Sequence, residues 1–468
     1  MARTESDVGA GRRVAVVGAG PAGFYASEQL LANGFEVDLI DLLPTPFGLV
    51  RAGVAPDHPK IKSVTRVYEK TARREGFRFF GGVELGSDIS ADDLRERYHA
   101  VVYALGTSDD NRLGIPGEDR PGSYPATRFV AWYNGHPHFC DEEFDLSAER
   151  AVVIGNGNVA VDVARMLLVT PDELATTDTA DHALDVLAGA GVREVVMLGR
   201  RGPAQAAFTN PELRELGELT RADVDVDPAQ LELDEHSDAW LEAEGDPTAK
   251  RNVEILREYA SRPANGSTHR IALRFLRSPV EILGEGDDGP VTGIRVVHNR
   301  IERGDDGRLR AVPTDREEVI ECGLVLRSIG YRGRALPGIP FDERRGLIRN
   351  DGGRVIGDDG EPLRGEYAVG WIKRGPSGVI GTNKKDAADT VAKIVEDAAA
   401  GRLRDPANPD ADATAAWLLD ASPNAVEWTG WQAIDAHERG LGEPAGRPRV
   451  KLVRMAELIE AGRAAAAR

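Results

Sequence analysis

Apolar positions in this chain come in short unbroken runs closed by glycines. Val14 to Val17 are four consecutive apolar residues, the pattern of a parallel strand buried on both faces. The stretch GAGPAG follows at once, then Ala22, Ala26 and Leu30 recur at helical spacing until Asn33-Gly34 closes the helix. A second strand, EVDLID, ends at Asp41. The same order returns from residue 151. Ala151 to Ile154 read as a strand, GNGNVA as a turn, and Val159, Val163, Met166 and Leu167 as a helix face. The next strand, EVVMLGRRG, arrives late, so residues 170–192, with the helix-like DHALDVLAGAG, predict an insertion in the crossover. Two such units predict an α/β fold with two Rossmann-like dinucleotide-binding domains. With LVLRSIGYR (324–332) as a further strand, the order suggests nesting: a first domain from 1–109 and 325–468, and a second inserted at 110–324.

The glycines give each unit its chemistry. Gly18, Gly20 and Gly23 complete G-x-G-x-x-G, with Ala19 and Pro21 between them. Their expected roles are a tight turn, close approach of backbone to a pyrophosphate, and close helix–strand packing. Asp41 lies 41 − 18 = 23 residues beyond the first glycine, where a carboxylate accepts hydrogen bonds from a ribose. In the second unit Asn156, Gly157, Asn158 and Val159 occupy the turn. Its following strand ends not on an acid but on Arg200 and Arg201, which suits a 2′-phosphate and so NADP rather than NAD. Two dinucleotide sites in one chain suggest one tightly held FAD, at the acid-bearing N-terminal site, and one exchangeable NADPH.

Charge and cysteine usage narrow the class. The net charge of −19 excludes nucleic acid as a bulk partner. Residues 218–247 hold eleven acids and one Arg and read as solvated surface, whereas 59–74 hold six basic residues and one Glu. A single helical pattern over 59–74 puts Ile61, Val64 and Val67 inward and Lys62, Arg66, Lys70, Arg73 and Arg74 outward. Only Cys140 and Cys322 are present, with no CxxC, so a redox cysteine pair and a self-held iron–sulfur cluster are excluded and no metal site is expected. The N-terminus lacks an apolar segment and carries Glu5 and Asp7, and no window reaches the length of a membrane span; a cytoplasmic protein is expected. Asn210 and Pro211 mark a helix start that places Glu212 and Glu215 on neighbouring faces. His58, in the proline-bracketed turn APDHP, reads on its own as a packed or capped histidine.

Four stretches, LLPTPFGLVRAGVAPDHPKIK (42–62), VVIGNGNVAVDVAR (152–165), LGRRGPAQAAFT (198–209) and VGWIKRGPSGVIGTNKKDAADTV (369–391), resemble the adrenodoxin reductase family of ferredoxin–NADP⁺ reductases, and the resemblance runs over nearly the whole chain. It implies that Gly18 to Gly23, Asp41, Phe47, Gly48, Leu49 and Val83 border FAD, with Trp371 and Gly378-Val379-Ile380 at the flavin ring. It also implies that Glu212 faces NADP, that Glu215 and His58 approach the flavin, and that the partner is an acidic ferredoxin-type iron–sulfur protein served by a monomer. Two departures are visible: Phe47 stands where Trp is frequent, losing an indole N–H, and Asp41 where Glu is usual. The Gly378 turn precedes a predicted helix, Lys384 to Ala399, whose N-terminal N–H groups would favour negative charge on a reduced flavin. A flavin monooxygenase, a general diaphorase and a non-catalytic nucleotide-binding regulator share these features at the sequence level.

Overall fold

A computed structural model of the chain describes residues 8–464; Glu5 and Asp7 lie outside them. Contacts divide the chain into two compact units. The first comprises residues 8–111, Asn134–His138 and 330–464. Its core is an eight-stranded sheet in the order Asn350–Asp351, Arg354–Ile356, Pro362–Ala368, Ala100–Tyr103, β1 (Arg13–Val17), β2 (Glu36–Asp41), Phe77–Gly81 and Val426–Glu427. The five strands from Pro362–Ala368 to Phe77–Gly81 run parallel, and the outer ones are antiparallel. All five residues of β1 are buried, Val14 to Val17 as the apolar run requires and Arg13 in an ion pair with Asp38. Helix α1 (Pro21–Ala32) covers one face, and Thr382–Ala399 packs along it. That second helix starts two residues earlier than the sequence predicts.

The second unit, Arg112–Tyr133 and Phe139–Ile329, is built on six parallel strands. Their order is Ser123–Pro125, Leu324–Arg327, Arg150–Ile154, Glu194–Leu198, His269–Arg274, Ala222–Val226. A three-stranded antiparallel sheet (Arg277–Gly284, Val291–Arg303, Leu309–Glu321) covers one face through Ile282, Val291, Ile294 and Val296. The acidic segment contributes the edge strand Ala222–Val226, and Leu231 is buried within it. The crossover insertion folds as two short helices, Pro171–Leu174 and Asp181–Ala188.

Three local readings need correction. The strand at 324 belongs to the second unit, hydrogen-bonded between Ser123–Pro125 and Arg150–Ile154, and the chain re-enters the first unit at Gly330; an apolar run does not reveal which sheet receives it. Residues Asn134–His138 also lie with the first unit, inside the span read as inserted. The basic segment is two helices, Pro59–Lys62 and Thr65–Ala72, rather than one. The break rotates the second relative to the first, so Tyr68 and Thr71 face inward while Ile61 and Val67 stand 40% and 39% exposed. No helix among the described residues is long and apolar enough to cross a membrane, and no disulfide joins Cys140 to Cys322.

Candidate cofactor sites

In the first unit the three glycines of the N-terminal turn have separate physical reasons. Gly18 takes φ 111°, and a Cβ there would lie 2.3 Å from the Ala104 carbonyl oxygen. A Cβ on Gly23 would lie 1.9 Å from Gly18 O, so this glycine lets α1 press onto the strand end. A Cβ on Gly20 would meet nothing within 4 Å. Gly20 is also the N-cap of α1 and carries no side-chain cap. Open backbone at the start of a 12-residue helix fits a pyrophosphate.

Asp41, at the end of β2, is held by that turn. Ala19 N–H donates to Oδ2 at 2.6 Å and Leu43 N–H to Oδ1 at 2.9 Å. Burial nevertheless raises its pKa to about 6, against the lowering effect of those two bonds. Val83 N–H donates to Asp41 O at 2.9 Å, which brings that buried side chain to the same strand end. Phe47 has φ 85° and donates its N–H to Ala19 O at 2.8 Å. A Cβ on Gly48 would lie 3.0 Å from Gly20 Cα, so residues 47–48 lie directly on the phosphate turn. Leu49 follows, 46% exposed, at the start of α2 (Leu49–Ala52). The Phe47 ring itself points into a cluster with Phe24, Tyr68, Trp428 and Trp431. Its backbone lies on the turn, and its ring is committed to the core.

Trp371 follows Gly370, which packs against the first turn of α1. A Cβ on Gly370 would lie 2.5 Å from Ala22 Cβ in the first turn of α1. Gly370 N–H donates to the buried Asp386 at 2.6 Å, and Lys373 Nζ lies 2.9 Å from the same carboxylate. The Trp371 ring stacks on Tyr331 at 5.6 Å, and its buried indole N–H finds no protein acceptor. An unsatisfied buried donor marks a place where a ligand acceptor fits. Gly378, Val379 and Ile380 precede the helix Thr382–Ala399, but Val379 N–H donates to Thr382 Oγ1 (3.1 Å), so one donor of that turn is satisfied internally. His58 is buried at the N-terminus of Pro59–Lys62, with Asp57 3.9 Å from its Nε2. Sequence reasoning missed Asp386, and also Thr107, whose buried hydroxyl has no partner just beyond the strand Ala100–Tyr103.

The second unit repeats the plan. Gly155 takes φ 134°, and a Cβ there would lie 2.1 Å from Ser328 O. Gly157 caps the helix Asn158–Met166 and, like Gly20, has open space where a Cβ would be. Asn158 Oδ1 accepts Thr209 N–H at 2.8 Å, and Asn156 O accepts Ala207 N–H at 3.0 Å. The segment 198–209 is thereby tied to the turn, with Val159 in the first turn of the helix. Arg200 and Arg201 follow the strand Glu194–Leu198, both exposed and with no acidic partner among the described residues. Unpaired adjacent guanidiniums suit a phosphate dianion. The helix Asn210–Leu216 carries Glu212 and Glu215, and Glu215 pairs with Arg165 at 3.6 Å. Its N-cap is Thr209 rather than Asn210. The Asn210 side chain instead bonds Thr248 O and Asn252 Oδ1, partners far along the chain that no local signal announces.

The family model described as pyridine nucleotide-disulphide oxidoreductase matches residues 12–198. NADPH-ferredoxin reductase FprA from Mycobacterium leprae (strain TN) is 50% identical over 457 residues, covering 96% of this chain and 98% of its own length. The mitochondrial NADPH:adrenodoxin oxidoreductase of Salvelinus fontinalis is 40% identical over 463 residues, covering 97% and 91%. The solved structure of Mycobacterium tuberculosis FprA in complex with NADPH is similar with a TM-score of 0.90 at 49% identity, over 96% of this chain and 99% of that one.

Proposed function

Since the chain belongs to the family of NADPH-dependent ferredoxin reductases that includes FprA and adrenodoxin reductase, we propose that it carries electrons from NADPH through FAD to a ferredoxin-type iron–sulfur protein. One observation supports this above the rest: two glycine turns with open backbone, one ending on a carboxylate and the other on an unpaired arginine pair. In this reading the first unit, residues 8–111, Asn134–His138 and 330–464, holds FAD. Gly18 to Gly23 hold the pyrophosphate, Asp41 the ribose, and Gly48, Leu49 and Val83 the edge of the adenosine. Trp371 offers its free N–H toward the flavin end. The second unit, within 110–329, holds NADPH, with Asn156 to Val159 at the pyrophosphate and Arg200 and Arg201 at the 2′-phosphate.

FAD supplies the step between a two-electron donor and a one-electron acceptor. The chain positions and tunes. Glu212 and Glu215 set the field around the nicotinamide end, with Arg165 holding Glu215 in place. His58 shapes the buried turn beside Asp57. The acceptor is an acidic ferredoxin, and the enzyme works as a single cytoplasmic chain. The test is the visible spectrum of the purified protein before and after anaerobic NADPH, followed by cytochrome reduction with and without ferredoxin. Bleaching of flavin bands and ferredoxin-dependent cytochrome reduction are expected. NADPH oxidation that consumes oxygen to form an oxygenated product, indifferent to ferredoxin, would overturn the proposal in favour of a monooxygenase.

A further inference from the structure

The loop that lies on the phosphate turn is clamped from behind by the C-terminal segment of the chain. Arg51 sits on α2, two residues after Leu49, and its guanidinium forks onto Glu438: Nη1 to Oε2 at 2.8 Å and Nη2 to Oε1 at 2.5 Å. Glu438 is fully buried. It also accepts from Arg449 Nη1 at 3.1 Å and from Leu452 N–H at 3.0 Å. Burial pushes its carboxyl up, but the Arg51 and Arg449 charges outweigh that and hold it below the usual range. The neighbouring Lys451, 5% exposed, donates to Arg51 O at 3.2 Å and to Asn134 O at 3.0 Å. The Arg51 guanidinium lies over the Trp431 ring at 5.4 Å, and Trp431 packs against Phe47. Residues 431–452 thus hold both ends of the stretch 47–51.

A fully buried carboxylate with four donors is costly to build and rigid once built. Its position sets what it can do. Gly48, three residues before Arg51, lies against Gly20, and the half-exposed Leu49 follows it at the start of α2. We propose that Glu438 is a positioning residue for FAD, locking α2 so that Gly48 and Leu49 close the phosphate end of the first dinucleotide site. The idea rests on FAD occupying that site. Glu438 bonds Arg51, Arg449 and Leu452 rather than the turn itself, so it acts through Arg51.

The experiment follows FAD release from the holoprotein by the rise of flavin fluorescence on dilution. Glu438→Gln keeps the shape but leaves two buried guanidiniums sharing one carbonyl oxygen, and Lys451→Met removes the second clamp without touching the carboxylate. Each is expected to speed FAD release by about tenfold, the scale of one charge-assisted hydrogen bond. NADPH binding, read by titration of the oxidised protein, should stay at the parent value. Asp397→Asn serves as the control, since it breaks a buried Arg354–Asp397 pair in the same unit away from the loop. If Asp397→Asn lowers thermal stability as much as Glu438→Gln and speeds FAD release equally, the effect is general loosening and the proposal is overturned. If Asp41→Ala loses FAD while Glu438→Gln and Lys451→Met release it at the parent rate, the clamp alone is refuted. If Asp41→Ala also retains FAD, the assignment of the site has failed first. Should Glu438→Gln not fold, Lys451→Met with Arg51→Lys carries the same test.

Discussion

Asp41 offers a prediction with a built-in sign. In the cofactor-free chain its pKa is raised to about 6, with burial the largest cause, against about 3.9 for an unperturbed Asp. A raised folded-state pKa means the folded chain binds the proton more tightly than the unfolded one between those values. Its contribution to stability is therefore present below about pH 4 and is lost as pH rises through about 6, at most ~3 kcal/mol for a shift near two units. A ribose that donates to the carboxylate reverses that preference, because it favours the ionised form. FAD affinity should thus be flat above about pH 7 and fall as pH drops, approaching tenfold per unit below about 6. Fluorescence titration of the apoprotein with FAD from pH 5 to 8 reads this slope directly. Asp41→Asn removes the titrating group and leaves either Ala19 or Leu43 N–H facing a donor, at a cost of ~1–3 kcal/mol. It should bind FAD more weakly at pH 7.5 and lose the slope. A parent affinity that is level from pH 5 to 8, or a slope shared by Asp41→Asn, would refute the role given to this carboxylate.

Changing Arg200 and Arg201 together to Ala should raise the KM for NADPH by about two to four orders of magnitude, at ~1.5–3 kcal/mol for one charge-assisted bond from each, and leave NADH nearly unchanged; a preserved NADPH/NADH preference sinks the assignment. His58→Gln and Glu215→Ala should still reduce the flavin in stopped-flow mixing, with altered rate and pH dependence. A loss of about five orders of magnitude, beyond the ~10²–10⁴ of general acid–base help, would show an obligatory chemical step there. The exposed basic residues Arg66 and Lys70, next to the exposed Val67, should steer an acidic ferredoxin. Reversing both to Glu should slow ferredoxin-coupled cytochrome reduction and flatten its salt dependence while ferricyanide reduction holds; equal loss with both acceptors would place docking elsewhere.

How much of this was legible in the sequence follows the range of the interactions involved. The turn at Gly18 to Gly23, the strand ending on Asp41 and the arginine pair after the second unit's strand depend on neighbours within one βαβ unit, and the glycine roles can be read from spacing. Asn210 precedes Pro211 as an N-cap would, yet its side-chain partners, Thr248 and Asn252, come from another helix. The 59–74 pattern misleads because periodicity assumes an unbroken helix, while the chain breaks between Lys62 and Thr65. Phe47 carries an aromatic signal but adopts a left-handed backbone that sends its ring into the core, a fact set by Ala19 and Gly48 together. The carboxylates Asp386 and Glu438 sit in ordinary helical sequence, and only the fold shows that one accepts from Gly370 N–H and the other from Arg51.

The sheet order also dictates a timetable for synthesis. The strand Ala100–Tyr103, buried throughout, is paired on one side by β1 and on the other by Pro362–Ala368. As the chain leaves the ribosome, that second edge stays open until residue 368 emerges, while the second unit has all six strands once residue 327 is out. The interior unit can therefore close first, and the N-terminal unit must wait with a bare apolar strand edge, the kind of surface that recruits other chains. Nascent chains halted shortly before residue 362 should be the aggregation-prone species and the natural clients of a chaperone, whereas a stall after the C-terminal strands have paired should not.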